Sequence, residues 1–293
     1  MAQISPKKPY DSGNKNSWMA FNPLSSLHFL PITLGLLAVI AFFTAYGMAV
    51  YYGHVDALFP YISDAGSRVP ESCIFGQFLN LAAFVAFAAM YIHYKHIKEF
   101  NITSMPLVKK LNNISIWLSA FTCLGLSMVA NFQYTSISVP HFIGAFLVFG
   151  LGILYCWIQS VISYKMKNQG MSTALTAFTR FALSFASTIF FLITLIGAGV
   201  ANSEWKSAHG SRNITGNTTI TPTTPLDSWT SDQSGYDSHL ASTFSEWLMG
   251  FSFLLFFMTY YREFKKITIA IKVVPKEAEV FSPSSDDVIG IVA

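Results

Sequence analysis

The chain has 293 residues, of which 52% are hydrophobic, 16% aromatic and only 11% charged, with a formal net charge of +3 and a mean hydropathy of +0.45. Soluble domains carry about 25% charged residues, so these charges are too few to solvate a globular surface, and the apolar residues gather into long blocks that suit lipid as the solvent. Cys73, Cys123 and Cys156 show no CxxC or Cys/His spacing, which excludes a disulfide framework and points to no metal site; no cofactor and no nucleic-acid partner are expected.

Residues 1–27 form a polar tail with Lys7, Lys8 and Lys15. The first apolar block, about Phe29–Tyr52, is uncharged and longer than a signal h-region of about 7–15 residues, so it reads as a retained span. Five more follow at about Cys73–Ile92, Ile114–Phe132, Val139–Ser163, Phe181–Ala201 and Ala241–Tyr261. Each is near the ~20 residues that cross ~30 Å of hydrocarbon. Continuous blocks of this length mean helices rather than barrel strands. The chain thus reads as an all-α polytopic membrane protein: a six-span transmembrane domain over 28–264 and a tail over 265–293, acidic at its end and expected to be disordered.

Lys and Arg set the orientation. The N-terminal tail, the segments joining spans two to three and four to five (Arg180 included), and the C-terminal tail together hold fifteen; the other face holds only Arg68, Lys206 and Arg212. Positive charge stays in the cytosol, which places both termini there. Of the non-cytosolic loops, the first, around Gly53–Ser72, carries Pro60 and Pro70 and reads as turn-rich; the second is tight; the third, 202–240, is long and rich in Ser and Thr. The third holds the sequons Asn213-Ile-Thr and Asn217-Thr-Thr, read as glycosylated on a lumenal or extracellular surface, whereas Asn101-Ile-Thr and Asn113-Ile-Ser face the cytosol and should stay unmodified.

No nucleophile elbow, P-loop or paired-carboxylate motif is present, and no catalytic residue is assigned. A lumenal polar cluster remains: Asp64 in the first loop, Gln77 and Asn80 three residues apart in span two, Asn131 ending span three, His141 opening span four and Glu246 opening span six. Ionisable residues within spans suggest function by default. One reading pairs His141 with Glu246 as an acidity sensor; the other has the polar groups merely joining helices, with Glu246 reaching the interface. The first loop is expected to cap this layer, or else to form a local turn around Asp64. Gln159 lies toward the cytosolic side, the alanines of span two and the glycines of span four allow close helix packing, and Tyr261-Arg-Glu-Phe264 has the form of a tyrosine sorting signal.

Several stretches carry a resemblance: Pro60-Tyr-Ile-Ser-Asp64, Pro70-Glu-Ser-Cys73 through Gly76-Gln-Phe-Leu-Asn80, Gly125 to Gln133, then His141, Gly144, Tyr155 and Gln159, the Trp229, Gly235-Tyr236, His239 series, and Glu246-Trp247 through Arg262-Glu-Phe264. In these the chain resembles the damage-regulated autophagy modulator (DRAM) family, within a wider six-span group. The resemblance implies a non-enzymatic regulator of autophagy in lysosomal or endosomal membranes, with membrane lipids and membrane or cytosolic proteins as partners. Other branches imply a plasma-membrane or Golgi accessory factor of lipid remodelling, or a channel or mechanosensor component. The long third loop favours the first.

Enzymatic deglycosylation checks the orientation. The wild-type chain and an Asn101→Gln variant should shift in mobility, and an Asn213→Gln/Asn217→Gln double variant should not.

Overall fold

The computed structural model describes residues 26–101, 105–209 and 229–268. Asn213, Asn217, most of both tails and the centre of the third loop lie outside them. Leu27–Ile267 forms one unit, made of helices with no strand among the described residues.

The helices are α1 (Phe29–Tyr51), the single-turn α2 (Ile62–Ala65), α3 (Glu71–Phe100), α4 (Pro106–Asn131), α5 (Ser138–Ala145), a π-helical segment (Phe146–Leu151), α6 (Gly152–Met166), α7 (Ala174–His209), α8 (Tyr236–Met258) and the short α9 (Tyr261–Phe264). Among the described residues, six continuous helical stretches are long and apolar enough to cross a membrane, with α5, the π segment and α6 forming one of them. In hydrocarbon no water pairs with a free amide, so a spanning chain must close its own backbone hydrogen bonds, and a helix does so within one segment.

The helices outrun the apolar blocks that mark them. At 1.5 Å per residue the 30 residues of α3 reach about 45 Å, well beyond the hydrocarbon. Residues 202–209 therefore continue α7 rather than begin the third loop, and α8 starts at Tyr236 rather than about residue 241. Hydropathy marks where lipid must be; the backbone ladder runs on past it.

The spans form a closed ring: α1 packs on α3, α3 on α4, α4 on α5 and α6, α6 on α7, α7 on α8, and α8 back on α1. Small side chains set the close approaches. Ala38, Ala41, Ala45 and Ala49 continue the buried stripe of α1 from Pro31 and Leu34, and Ala82, Ala86 and Ala89 are buried on α3, its main partner. With lipid outside as apolar as the side chains, such contacts hold through dispersion at short range. At the α4–α5 crossing a Cβ on Gly125 would lie 2.7 Å from the Gly144 carbonyl oxygen, and one on Gly144 would lie 3.0 Å from that of Gly125. Both positions need hydrogen as the side chain.

Around the first loop the backbone turns at Gly53 (φ 69°), runs through α2 and enters α3. This loop, the start of α5 and the start of α8 share one end of the ring, here the loop end. Lys95, Lys98, Lys109 and Lys110 flank the opposite, basic end.

Gly144→Leu should force the α4–α5 crossing apart, at the 1–3 kcal/mol typical of overpacking. Thermal unfolding of the purified protein in detergent should show a lower Tm than wild type, with Gly47→Leu, which meets nothing within 4 Å, as the neutral comparison.

Candidate functional site

Three consecutive residues of the first loop are fastened to α8. The Trp247 indole N–H donates to the Pro60 carbonyl across 2.9 Å, Tyr61 donates its hydroxyl to Ser242 Oγ at 2.7 Å, and the Ile62 N–H donates to Glu246 Oε2 at 3.0 Å. The Ser63 N–H donates to the same carboxylate. Ser242 passes the connection on by donating to the Thr194 carbonyl of α7 at 2.7 Å. Ile62 and Ser63 open α2, whose first amides have no intrahelical partner; a carboxylate from another helix supplies the cap. Burial, with Glu246 and Asp64 nearby, pushes the Tyr61 phenol well above its ordinary pKa, so it stays a neutral donor.

Beneath the fastened loop lies a cleft of about 740 Å³. Tyr61, Ser63 and Asp64 form its roof, with Trp229 and His239 beside them; Phe142, Phe146 and Phe149 line one wall, and Phe191, Leu195 and Ala198 the other. The opening follows from how α6 and α7 part. Toward the basic end they are laced by Trp157 Nε1 donating to Thr188 Oγ1 (3.1 Å), by Ser160 and Ser184 hydroxyls 3.1 Å apart, and by Arg180 donating to Ser163 Oγ. Farther up, α5 and the π segment make no substantial contact with α7. None of the six π-helical residues is buried. A π insertion rotates the side chains that follow it and is common at functional sites. A second cavity, about 120 Å³ and almost wholly apolar, lies among α1, α3, α4 and α8 and shares Ser63, His141, Ala145, Phe149 and Glu246 with the cleft.

The structure divides the six residues of the expected polar cluster. Asp64, His141 and Glu246 come together on the cleft. Asn80 and Asn131 instead exchange amide hydrogen bonds at 3.1 and 3.0 Å and take in Ser127 at 2.7 Å, clamping α3 to α4. Gln77 is exposed. His141 and Glu246 do not pair: His141 Nδ1 lies 2.7 Å from the Phe132 carbonyl, and the Glu246 carboxylate is turned to the first loop. Nor does Glu246 open its span, since it lies ten residues inside α8.

A second buried network stands at the basic end, where the sequence pointed only to Gln159. Arg180, fully buried, donates Nη2 to Glu263 Oε2 at 3.0 Å and Nε to Thr259 Oγ1 at 2.8 Å. His93 Nε2 donates to the same Glu263 oxygen at 2.8 Å, and the His93 ring stacks on Tyr260 at 4.1 Å. Arg180 also lies over the Tyr260 ring at 4.6 Å. Counting Arg180 as a cytosolic topology charge therefore misplaced it. Glu263 and Phe264 are likewise buried, which takes Tyr261-Arg-Glu-Phe264 out of reach of a sorting adaptor. A span-end charge with a partner on another helix was the available signal: Arg180 immediately precedes the block Phe181–Ala201, and Glu263 follows the block Ala241–Tyr261.

Comparison with known proteins gives the chain relatives. Residues 26–267 match the family model described as Frag1/DRAM/Sfk1/Cwh43P N-terminal domain. DNA damage-regulated autophagy modulator protein 2 of Homo sapiens is 35% identical over 248 residues, covering 84% of this chain and 87% of that protein. DNA damage-regulated autophagy modulator protein 1 of Mus musculus is 33% identical, covering 85% and 95%. Modulator of macroautophagy TMEM150B-A of Xenopus laevis is 34% identical over 57% of this chain and 71% of its own. No solved structure matches.

Glu246→Ala leaves the Ile62 and Ser63 amides without an acceptor, at about 1–3 kcal/mol for each buried donor orphaned; Glu246→Gln keeps one acceptor oxygen. Expected are a larger fall in Tm for the alanine variant than for the glutamine variant, and faster proteolysis of residues 53–70 in the alanine variant. Equal melting and proteolysis in all three proteins would show that this carboxylate does not anchor the loop.

Proposed function

Because the chain belongs to the Frag1/DRAM/Sfk1/Cwh43P N-terminal domain family, we propose that it is a multi-pass membrane regulator of autophagy, acting at lysosomal or endosomal membranes through protein or lipid partners and without a catalytic step. One observation carries this reading. Relatives named as autophagy modulators align over 84–85% of the chain, and the alignment covers 86–95% of their own length. The family match takes in every described helix that spans, so the ring, the fastened first loop and the cleft all belong to the related part.

The site supports recognition over reaction. Its buried carboxylate, Glu246, is spent on loop amides, and Asp64 and Tyr134 already have partners. The cleft walls are largely apolar, which suits a ligand with an apolar body. The loop end faces the lumen or exterior in this reading, with both termini in the cytosol, because even without the buried Arg180 fourteen of the eighteen Lys and Arg are read on the other side. Asn213 and Asn217 then carry the glycans. A second reading, an accessory factor of lipid remodelling at the plasma membrane or Golgi, draws on the same lipid-suited cleft.

The two separate in cells. Tagged protein imaged beside lysosomal, Golgi and plasma-membrane markers should coincide with the lysosomal marker, and its depletion should change autophagic flux at least two-fold. Plasma-membrane residence with unaltered flux would replace the first reading with the second.

A further inference from the structure

We propose that the cleft binds one membrane lipid of a particular chemistry, an apolar body ending in an uncharged hydroxyl headgroup, admitted sideways from the bilayer between α5 with its π segment and α7. This deepens the function above by naming the class of its lipid partner, and it rests on that reading's account of the cleft as a recognition site.

Three features of the structure support the assignment. The first is access. The cleft lies between helices that each cross the membrane; it is only partly enclosed, and its walls are separated where α6 and α7 part. Water-soluble ligands would meet the fastened loop, with Tyr61, Ser63 and Asp64 as its roof. Lipid meets only the rows Phe142, Phe146, Phe149 and Phe191, Leu195, Ala198. The second is shape. At about 740 Å³, with the separate apolar cavity of about 120 Å³ behind Ala145 and Phe149, the cleft falls within the 300–1,000 Å³ typical of single small-molecule sites.

The third is the roof, which selects the headgroup. Its carboxylates are committed: the Glu246 carboxylate receives the Ile62 and Ser63 amides and Asp64 has a partner of its own, while the cation of the lining, Lys206, is exposed at the rim. Uncharged polar atoms remain. His141 Nδ1 faces the Phe132 carbonyl, which can only accept, so Nδ1 holds a proton and Nε2 is left as an acceptor. Tyr61 gives its hydrogen to Ser242 and keeps free lone pairs, and the Ser63 hydroxyl adjoins both cavities. A hydroxyl group donating to these acceptors suits the roof. A phosphate under the roof would lie beside the Glu246 and Asp64 carboxylates with only the exposed Lys206 of the rim to offset it, and burying poorly paired charge is costly. A sterol and a monoacylglycerol share the required chemistry.

The test uses the purified full-length chain in nanodiscs of zwitterionic phospholipid. Diazirine analogues of a sterol and of a monoacylglycerol are photo-crosslinked in parallel, each with and without a ten-fold excess of its unlabelled parent. Labelled peptides are then mapped by mass spectrometry. Competable labelling should concentrate on 142–149 and 191–198 for at least one probe, and which probe succeeds identifies the source. Ala198→Trp, half-buried on a cleft wall, should lower that labelling at least ten-fold while Tm stays within about 2 °C of wild type. A second variant, Phe146→Ala, should redistribute the labelled positions. Non-competable labelling spread over all six spans, or labelling unchanged in Ala198→Trp, would overturn the proposal. So would competition by lysophosphatidic acid as strong as that by the neutral lipids. All these readouts come from isolated protein, so they fail or succeed independently of compartment and autophagic flux.

Discussion

The contact between the Glu246 carboxylate and the first amides of α2 organises the loop end of this molecule. A carboxylate this deep in a helix bundle is tolerated only when hydrogen-bonded, and a single-turn helix is stable only when its free amides find acceptors. Each solves the other's problem. Together with Trp247 holding Pro60 and Tyr61 holding Ser242, it draws three consecutive residues of a proline-containing loop onto one helix face. The cleft has a roof because of this, and its polar groups face inward rather than out to water.

At the opposite end the Arg180–Glu263–His93 group plays a complementary part. Ion pairs removed from water contribute little net stability against an apolar alternative, yet losing one partner is expensive because the other stays buried and charged. Such a group specifies which helices meet more than it adds strength. Here it ties α3, α7 and the chain just after α8 together, and the Ser160–Ser184 and Trp157–Thr188 contacts extend the lacing along α6 and α7. Closure at one end and divergence at the other give the space between these spans its wedge form.

The spans were legible because lipid imposes a long-range rule on composition: Phe29–Tyr52 or Phe181–Ala201 could hardly be anything else. Helix ends were less legible, since Ser203, Glu204 and Lys206 are polar yet continue α7, and nothing in hydropathy distinguishes a helical extension from a loop. The cluster at the loop end was half visible. Asp64, His141 and Glu246 stood out as ionisable groups in apolar company, but their partners were backbone atoms, the Ile62 amide and the Phe132 carbonyl, and backbone atoms look alike in every sequence. Asn80 and Asn131 were grouped with them by depth alone, although depth does not say which side of a helix a residue occupies. Arg180 misled for a different reason. Its position at a span end fits equally a charge left in the cytosol and one folded inward, and only the location of Glu263 in space decides.

The π-helical stretch Phe146–Leu151 gives one span two allegiances. Each π insertion adds a residue to a turn, so the helix slips in phase: the part before it presents His141 and Gly144 to α4, while the part after it presents Ser160 and Ser163 toward α7. A regular helix would have to keep one heading for its whole length, and either the Gly125–Gly144 crossing or the α6–α7 lacing would be lost. The slip reconciles them within a single rod. It leaves its own side chains only partly covered: Phe149 still packs on Phe253 of α8, while Phe146 stays exposed and is left to meet the bilayer.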